Sequence, residues 1–258
     1  MDMCDRNALV TGAAGGIGAE VAAALARRGA AVAAVDRDAE RLHARVDAFA
    51  GVGLTLTAFP ADVSCGQSVE DVVDQVERVL GPVDFLVNAA GVLRPGPASA
   101  VTDEEWRDTF AVNVDGVFHV SRTLATRMVE RRRGAIVTVA SNAAGTPRVG
   151  MAAYAASKAA ATMYTKCLGL ELAPHGIRCN VVAPGSTDTP MLRQLWTDAN
   201  SRRDTLVGAP EKFRVGIPLG KLAKPSDIAD AVVFLLSDQA SHITMHDLTV
   251  DGGATLGV

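Results

Sequence analysis

The chain has 258 residues, of which 48% are hydrophobic, 21% charged and 4% aromatic. That length and composition suit one large α/β domain and exclude a disordered tail, because the chain can bury a substantial core. A formal charge of −4 speaks against a nucleic-acid binder, and no apolar run approaches the ~20 residues needed to span a bilayer.

The four cysteines, Cys4, Cys65, Cys167 and Cys179, have no C-x-x-C spacing. They read as scattered reduced thiols rather than a disulfide framework or metal site. The first residues, Met1 to Arg6, lack a basic segment followed by a long apolar stretch. No signal peptide is expected, and the protein is expected to be cytoplasmic.

Short apolar runs alternate with longer helical patterns. A strand is predicted at 8–11, then a glycine burst, an alanine-rich helix over 19–29, a strand at 31–35 and a helix over 38–50. Next come a strand at 54–59, a helix over 68–80 and a strand at 83–87 ending in Asn88-Ala89-Ala90-Gly91. One long helix is predicted over 102–132, stopped by Gly134. A strand at 135–140, a helix over 152–172, a strand at 178–182, a helix over 226–237 and a strand at 248–250 complete the pattern. Such alternation implies parallel strands joined by right-handed crossovers, with helices on both faces of the sheet. A single doubly wound domain is predicted over 1–258. The polar stretch 186–215 follows a strand end, where ligands of α/β folds bind, and is expected to form a lid.

Thr11-Gly12-Ala13-Ala14-Gly15-Gly16-Ile17-Gly18 joins the first strand to the first helix. Gly12, Gly16 and Gly18, with Ile17 between the last two, permit a tight turn and let backbone N–H groups approach a pyrophosphate. Asp36 ends the second strand, eighteen residues after Gly18. A carboxylate there accepts from ribose hydroxyls and repels a 2′-phosphate, which favours NAD over NADP, although Arg37 and Arg41 offer the counter-reading. Asp62 and Val63 close the third strand, either beside an adenine ring or with Asp62 as a helix cap.

Tyr154 and Lys158 stand four residues apart, on one face of a helix. A phenol with a pKa near ~10 is a poor base at neutral pH, and a nearby ammonium lowers that value. Ser141, at the end of the fifth strand, is placed to enter the same cleft.

With the glycine turn, these residues resemble the short-chain dehydrogenase/reductase family over nearly the whole chain. The resemblance extends to Asn88-Ala89-Ala90-Gly91, Asn113, and Pro184-Gly185 after the sixth strand. It implies a Rossmann-type sheet of seven parallel strands and a homotetrameric or dimeric assembly, of which a homotetramer is expected. It implies that Tyr154 is the base in alcohol oxidation, that Lys158 lowers its pKa and binds the nicotinamide ribose, and that Ser141 orients the substrate hydroxyl. Asn113 would help hold a proton relay and Thr189 would contact the nicotinamide carboxamide. Asn88, Pro184, Gly185 and Thr187 would complete the cofactor site, with Thr187 at a position often occupied by valine.

Five stretches carry a narrower resemblance within the family: 88–96 (NAAGVLRPG), 134–151 (GAIVTVASNAAGTPRVGM), 178–196 (RCNVVAPGSTDTPMLRQLW), 216–222 (GIPLGKL) and 242–258 (HITMHDLTVDGGATLGV). They are similar to members that oxidise a ring hydroxyl of a cyclohexadiene carboxylate, after which the ring aromatises. A ring bearing an amine in place of the neighbouring hydroxyl remains an alternative, as does a non-catalytic dinucleotide scaffold. A carboxylate substrate calls for a cation. Arg94 and Arg148 follow the fourth and fifth strands and Arg193 lies on the lid; Arg148 is the first choice because its loop also carries Ser141. Met191, with Leu192 and Trp196, is placed either to cover the ring or to pack the lid. His242 and His246 have the spacing of a metal pair but lack a third ligand, so no metal is expected.

Overall fold

A strand buried on both faces needs no polar alternation, and the apolar runs of this chain supply such strands. The computed structural model describes residues 2–196 and 198–257. In chain order it builds β1 (Asn7–Thr11), α1 (Gly16–Ala26), β2 (Ala31–Asp36), α2 (Ala39–Ala50), β3 (Leu56–Pro60), α3 (Gly66–Leu80) and β4 (Phe85–Asn88). There follow α4 (Asp103–Phe110), a π-helical turn (Ala111–Asp115), α5 (Gly116–Arg131), β5 (Gly134–Val139), α6 (Ala152–Leu172) and β6 (Ile177–Pro184). The 186–215 segment holds α7 (Pro190–Arg193), α8 (Ser201–Val207), β7 (Gly208–Ala209) and β8 (Arg214–Val215), and then come α9 (Pro225–Leu236) and β9 (Asp247–Val250).

Seven strands form one parallel sheet in the order β3-β2-β1-β4-β5-β6-β9, as expected. Alternate strand residues feed two cores. Val10, Val32, Ala34 and Val87 face α1 and α9, where Val21, Leu25, Ile228 and Val232 are buried. Leu9, Ala33, Val35 and Leu86 face α3 and α5, where Val69, Val73, Val120 and Leu124 are buried. The strand order reverses between β1 and β4, and a crevice opens there at the carboxyl ends of the strands.

Two departures from the predicted elements bear on the site. The helix expected over 102–132 is interrupted by the π turn at Ala111–Asp115. A capping box of Thr102 and Glu105 starts α4, and at the beginning of α5 a Cβ on Gly116 would come within 2.8 Å of the Val63 side chain. One extra residue in a turn re-aims the side chains there, a change of phase that the apolar period does not reveal. Within 186–215, β7 and β8 form a two-stranded antiparallel ribbon after α8. No helix among the described residues is long and apolar enough to cross a membrane.

Candidate active site

A cleft of about 820 Å³ lies along the carboxyl ends of β1, β2, β4, β5 and β6, bordered by the 186–215 segment. At one end the glycine turn sets the geometry. Gly12 has φ +72°, and a Cβ there would lie 2.8 Å from the Ala90 backbone. A Cβ on Gly18 would strike the Gly12 carbonyl. The turn therefore closes only with hydrogen at both positions. Gly15 precedes α1 without any side-chain cap, so the first N–H groups of that helix are not taken by a capping side chain. Thr11 ties the two sides of the switch point together: its Oγ1 accepts from the N–H of Ala89 and of Ala90, both at 3.1 Å. The spacing of the glycines gave no hint of that hydroxyl.

Asp36 is fixed by its own backbone surroundings, accepting from the N–H of Ala14 and of Asp38 at 3.1 Å each. Its carboxylate lines the cleft together with Gly12, Gly16, Ile17, Gly18, Arg37, Arg41, Asp62 and Val63. Burial works to raise the Asp62 carboxyl, yet hydrogen bonds from Ser64 and the charge of Arg37 hold it below its ordinary value. It accepts from Ser64 N–H at 2.9 Å and Oγ at 2.7 Å. It thus braces the turn before α3 and still faces the cleft. Asn88 differs from the other cofactor candidates. It donates to Ser121 Oγ at 2.9 Å and to Thr138 Oγ1 at 3.4 Å, and it is not among the residues lining the cleft.

At the other end, α6 starts at Ala152 and brings Tyr154 and Lys158 to the cleft beside Ser141. Ser141 Oγ accepts from Ala143 N–H at 3.1 Å, and its hydroxyl lies within hydrogen-bonding reach of the Tyr154 phenol. Lys158 Nζ donates to the Val139 carbonyl at 2.9 Å and lies 5.8 Å from the centroid of the Tyr154 ring. Burial lowers this ammonium to about 8. Burial also pushes the Tyr154 phenol above its ordinary value, with the Ser141 hydroxyl acting in the opposite direction. Desolvation is therefore the largest influence on both groups, whereas the sequence pattern suggested only the lysine's pull on the phenol.

Asn113 sits on the π turn, fully buried. Its Oδ1 accepts from Val92 N–H at 2.8 Å, and its Nδ2 donates to the Val92 carbonyl at 2.9 Å and to Ser157 Oγ at 3.0 Å. The loop after β4 and the first turns of α6 are thereby held to one amide. Pro184, Gly185, Thr187 and Thr189 line the cleft from the end of β6. Thr189 Oγ1 caps α7 by accepting from Leu192 N–H at 3.3 Å, and its methyl group packs towards Gly16.

Of the expected substrate residues, Arg94, Arg148 and Met191 line the cleft, as does Leu192. Arg193 does not: it donates to Asp188 through Nε at 3.1 Å and Nη2 at 2.9 Å, and Trp196 is likewise outside the lining. A carboxylate five residues upstream neutralises Arg193, a signal already present in the sequence. Arg214, on β8, lines the cleft from the 186–215 segment. Its two-residue strand has no periodicity by which a sequence reading would have found it. Among the described residues, no group of three or more His, Cys, Asp or Glu side chains is arranged to hold a metal ion.

The parallel sheet with its switch point, the glycine turn and the Ser141, Tyr154 and Lys158 cluster define a nucleotide-dependent oxidoreductase of Rossmann type. The chain belongs to the short chain dehydrogenase family, whose pattern it matches over residues 6–200. It is 58% identical over 251 residues to the 2,3-dihydro-2,3-dihydroxybenzoate dehydrogenase of Bacillus subtilis, covering 97% of this chain and 96% of that protein. It is 45% identical over 257 residues to the enzyme of the same name from Escherichia coli, covering 100% of both. Among solved structures, a 7α-hydroxysteroid dehydrogenase complexed with NADH and 7-oxo glycochenodeoxycholic acid superposes with a TM-score of 0.89 at 32% identity, covering 98% of this chain and 95% of that one. Members of this family bind nicotinamide dinucleotides, and the uncapped N–H groups after Gly15, as donors, with the Asp36 carboxylate, as an acceptor, fit such a group.

Proposed function

We propose that this chain is a cytoplasmic, homotetrameric enzyme that oxidises the ring C3 hydroxyl of 2,3-dihydro-2,3-dihydroxybenzoate with NAD, in siderophore-type biosynthesis. The observation that carries this reading is one cleft holding both the Ser141, Tyr154 and Lys158 cluster and an arginine, Arg148, that has no ion-pair partner within 4.0 Å among the described residues. The full-length likeness to named dehydrogenases of that substrate supports it.

Asp36 supports NAD over NADP, because a carboxylate pinned by two N–H groups welcomes ribose hydroxyls and repels a phosphate. Gly12, Gly16, Ile17 and Gly18 would take the pyrophosphate. Lys158 and Tyr154 would take the nicotinamide ribose, while Pro184, Gly185, Thr187 and Thr189 would border the nicotinamide. When bound, NAD supplies the acceptor for the hydride that leaves C3.

Ser141 donates its hydroxyl proton to the C3 oxygen and holds the substrate hydroxyl against Tyr154. Tyr154, as phenolate, takes the hydroxyl proton as the C–H bond breaks. Lys158 places its ammonium against that phenolate and compensates part of the desolvation. The two electrons leave with the hydride and C3 becomes a ketone. The C2 proton is then lost, the C3 oxygen gains one, and the ring becomes the catechol 2,3-dihydroxybenzoate. Arg148 holds the carboxylate. The 186–215 segment serves as the lid that excludes water.

A panel of the 2-hydroxy and 2-amino dihydro acids, each with NAD and with NADP, tests the proposal by kcat/KM. Fastest turnover is expected with the 2-hydroxy acid and NAD, with Tyr154→Phe slower by about 10²–10⁴-fold and Arg148→Ala raising the KM for the acid far more than that for NAD. Faster turnover of the 2-amino acid, or full activity of Tyr154→Phe, overturns it.

A further inference from the structure

Arg148 does not face the cleft alone. Arg214 lines the same cavity from the opposite side of the chain's course, on the ribbon that follows α8. Among the described residues neither arginine forms an ion pair within 4.0 Å, whereas Arg193 is committed to Asp188. Among the described residues the Arg214 side chain makes one hydrogen bond, donating from Nη2 to Ser186 Oγ at 2.9 Å, so most of its five N–H donors remain available.

The backbone gives Arg214 little latitude. β8 pairs Arg214 with Ala209. Gly208 has φ +98°, and a Cβ there would lie 2.7 Å from the Arg214 carbonyl. A Cβ on Gly216 would collide with the Leu206 carbonyl of α8, and Ile217 N–H donates to that same carbonyl at 2.8 Å. Two glycines thus let the ribbon fold tightly onto α8. Burial lowers the Arg214 guanidinium, the charge of Arg148 lowers it further, and Asp204 only partly offsets both. Burial also lowers Arg148, with Asp251 opposing. Two partly desolvated like charges within Coulombic reach of each other are unfavourable until an anion comes between them.

We infer that Arg214 is the lid-borne half of a two-arginine clamp that binds the substrate carboxylate together with Arg148. This inference rests on the ring-carboxylate reading of the function. The clamp couples specificity to lid position: the Ser186 bond ties the ribbon to the end of β6, beside the nicotinamide residues, and the carboxylate draws the same side chain inward. A latch alone would serve any ring compound, while a clamp serves only the acid.

The affinities of 2,3-dihydroxybenzoate and of catechol for the NADH-bound protein separate these roles, measured calorimetrically for wild type, Arg214→Gln and Arg214→Lys. Wild type is expected to prefer the acid. Arg214→Gln is expected to bind the acid about 10- to 100-fold more weakly, the worth of one charge-assisted interaction, with catechol and NADH affinities unchanged. Arg214→Lys restores part of the preference because it keeps the charge and loses the fork. It also serves should Arg214→Gln not fold, since the acid must then weaken while catechol does not. Equal weakening of acid and catechol, or an unchanged preference in the variants, overturns the clamp while leaving the carboxylate reading intact. A wild type with no preference for the acid overturns both.

Discussion

Lys158 shows how far a single residue in this cleft works against the fold. Its ordinary value near 10.5 falls to about 8 because the ammonium is buried, with one carbonyl, that of Val139, as its hydrogen-bond acceptor. The protonated form is therefore less welcome in the folded than in the unfolded chain. The penalty is complete below pH 8 and fades as pH rises towards 10.5, where both states lose the proton, so stability gains with pH across that window. Tyr154 lies beside it, and burial pushes its phenol above its ordinary value while the Ser141 hydroxyl acts in the opposite direction. Lys158→Met is expected to abolish turnover and to stabilise the chain at pH 7 by about 2 kcal/mol, after allowing for the lost bond to Val139. Urea unfolding of both proteins at pH 7, 9 and 10.5 checks this, and the difference should shrink at each step. A difference that does not change with pH would remove desolvation as its cause.

At the scale of the element, the π turn at Ala111–Asp115 is where the helix layer is cut to fit the site. Asn113 spends its amide on both backbone groups of Val92 and on Ser157, so it joins the loop carrying Arg94 to the helix carrying Tyr154. Asn113→Ala removes the side-chain partner of both Val92 backbone groups and leaves Ser157 Oγ with its bond to the Tyr154 carbonyl at 2.7 Å. The expected cost is about 2 kcal/mol in unfolding free energy, together with a fall in kcat/KM, because both walls of the cleft loosen. Loss of activity at unchanged stability would instead point to Asn113 acting only in the chemistry. The turn was illegible in the sequence, since one inserted residue shifts the apolar phase without adding any residue type that marks it. The sheet strands were legible because each is buried on both faces and reads as an apolar run. Asn88 obeys the strand alternation. It stands two residues after Leu86, which faces the α3 and α5 core, so its side chain turns towards Ser121 on α5 and away from the strand ends. Tyr154, Lys158 and Ser141 were legible because helix spacing and a strand end fixed their placement. Arg214 was not, because a ribbon of two-residue strands is set by glycine contacts between distant segments.

For the whole molecule, the apolar surface left outside the two cores suggests how copies associate. A groove of about 670 Å³ runs between α5 and α6, lined by Phe118, Val129, Tyr164, Cys167 and Leu168 among others. On α6, Met163, Cys167 and Leu170 recur at helical spacing; Met163 is 60% and Leu170 66% exposed, and Cys167 is exposed as well. Phe118 meets Tyr164 edge-on at 5.9 Å and carries Arg122 over its face at 4.9 Å, so the groove has a shaped wall rather than loose side chains. Apolar stripes of this kind on a helix pair suit a two-fold contact in which each copy buries the same face, and a stable contact needs about 800 Å² from each partner. Leu170 is absent from the lining of the cleft, so a change there separates assembly from chemistry. The homotetramer proposed above is expected to sediment at four times the protomer mass. Leu170→Glu, placing two like charges in each such contact, is expected to reduce that mass at micromolar concentration while the folded protomer keeps its near-native circular dichroism. Sedimentation equilibrium on both proteins decides the point: a Leu170→Glu variant with unaltered mass would show that the α5 and α6 face is not where the copies meet.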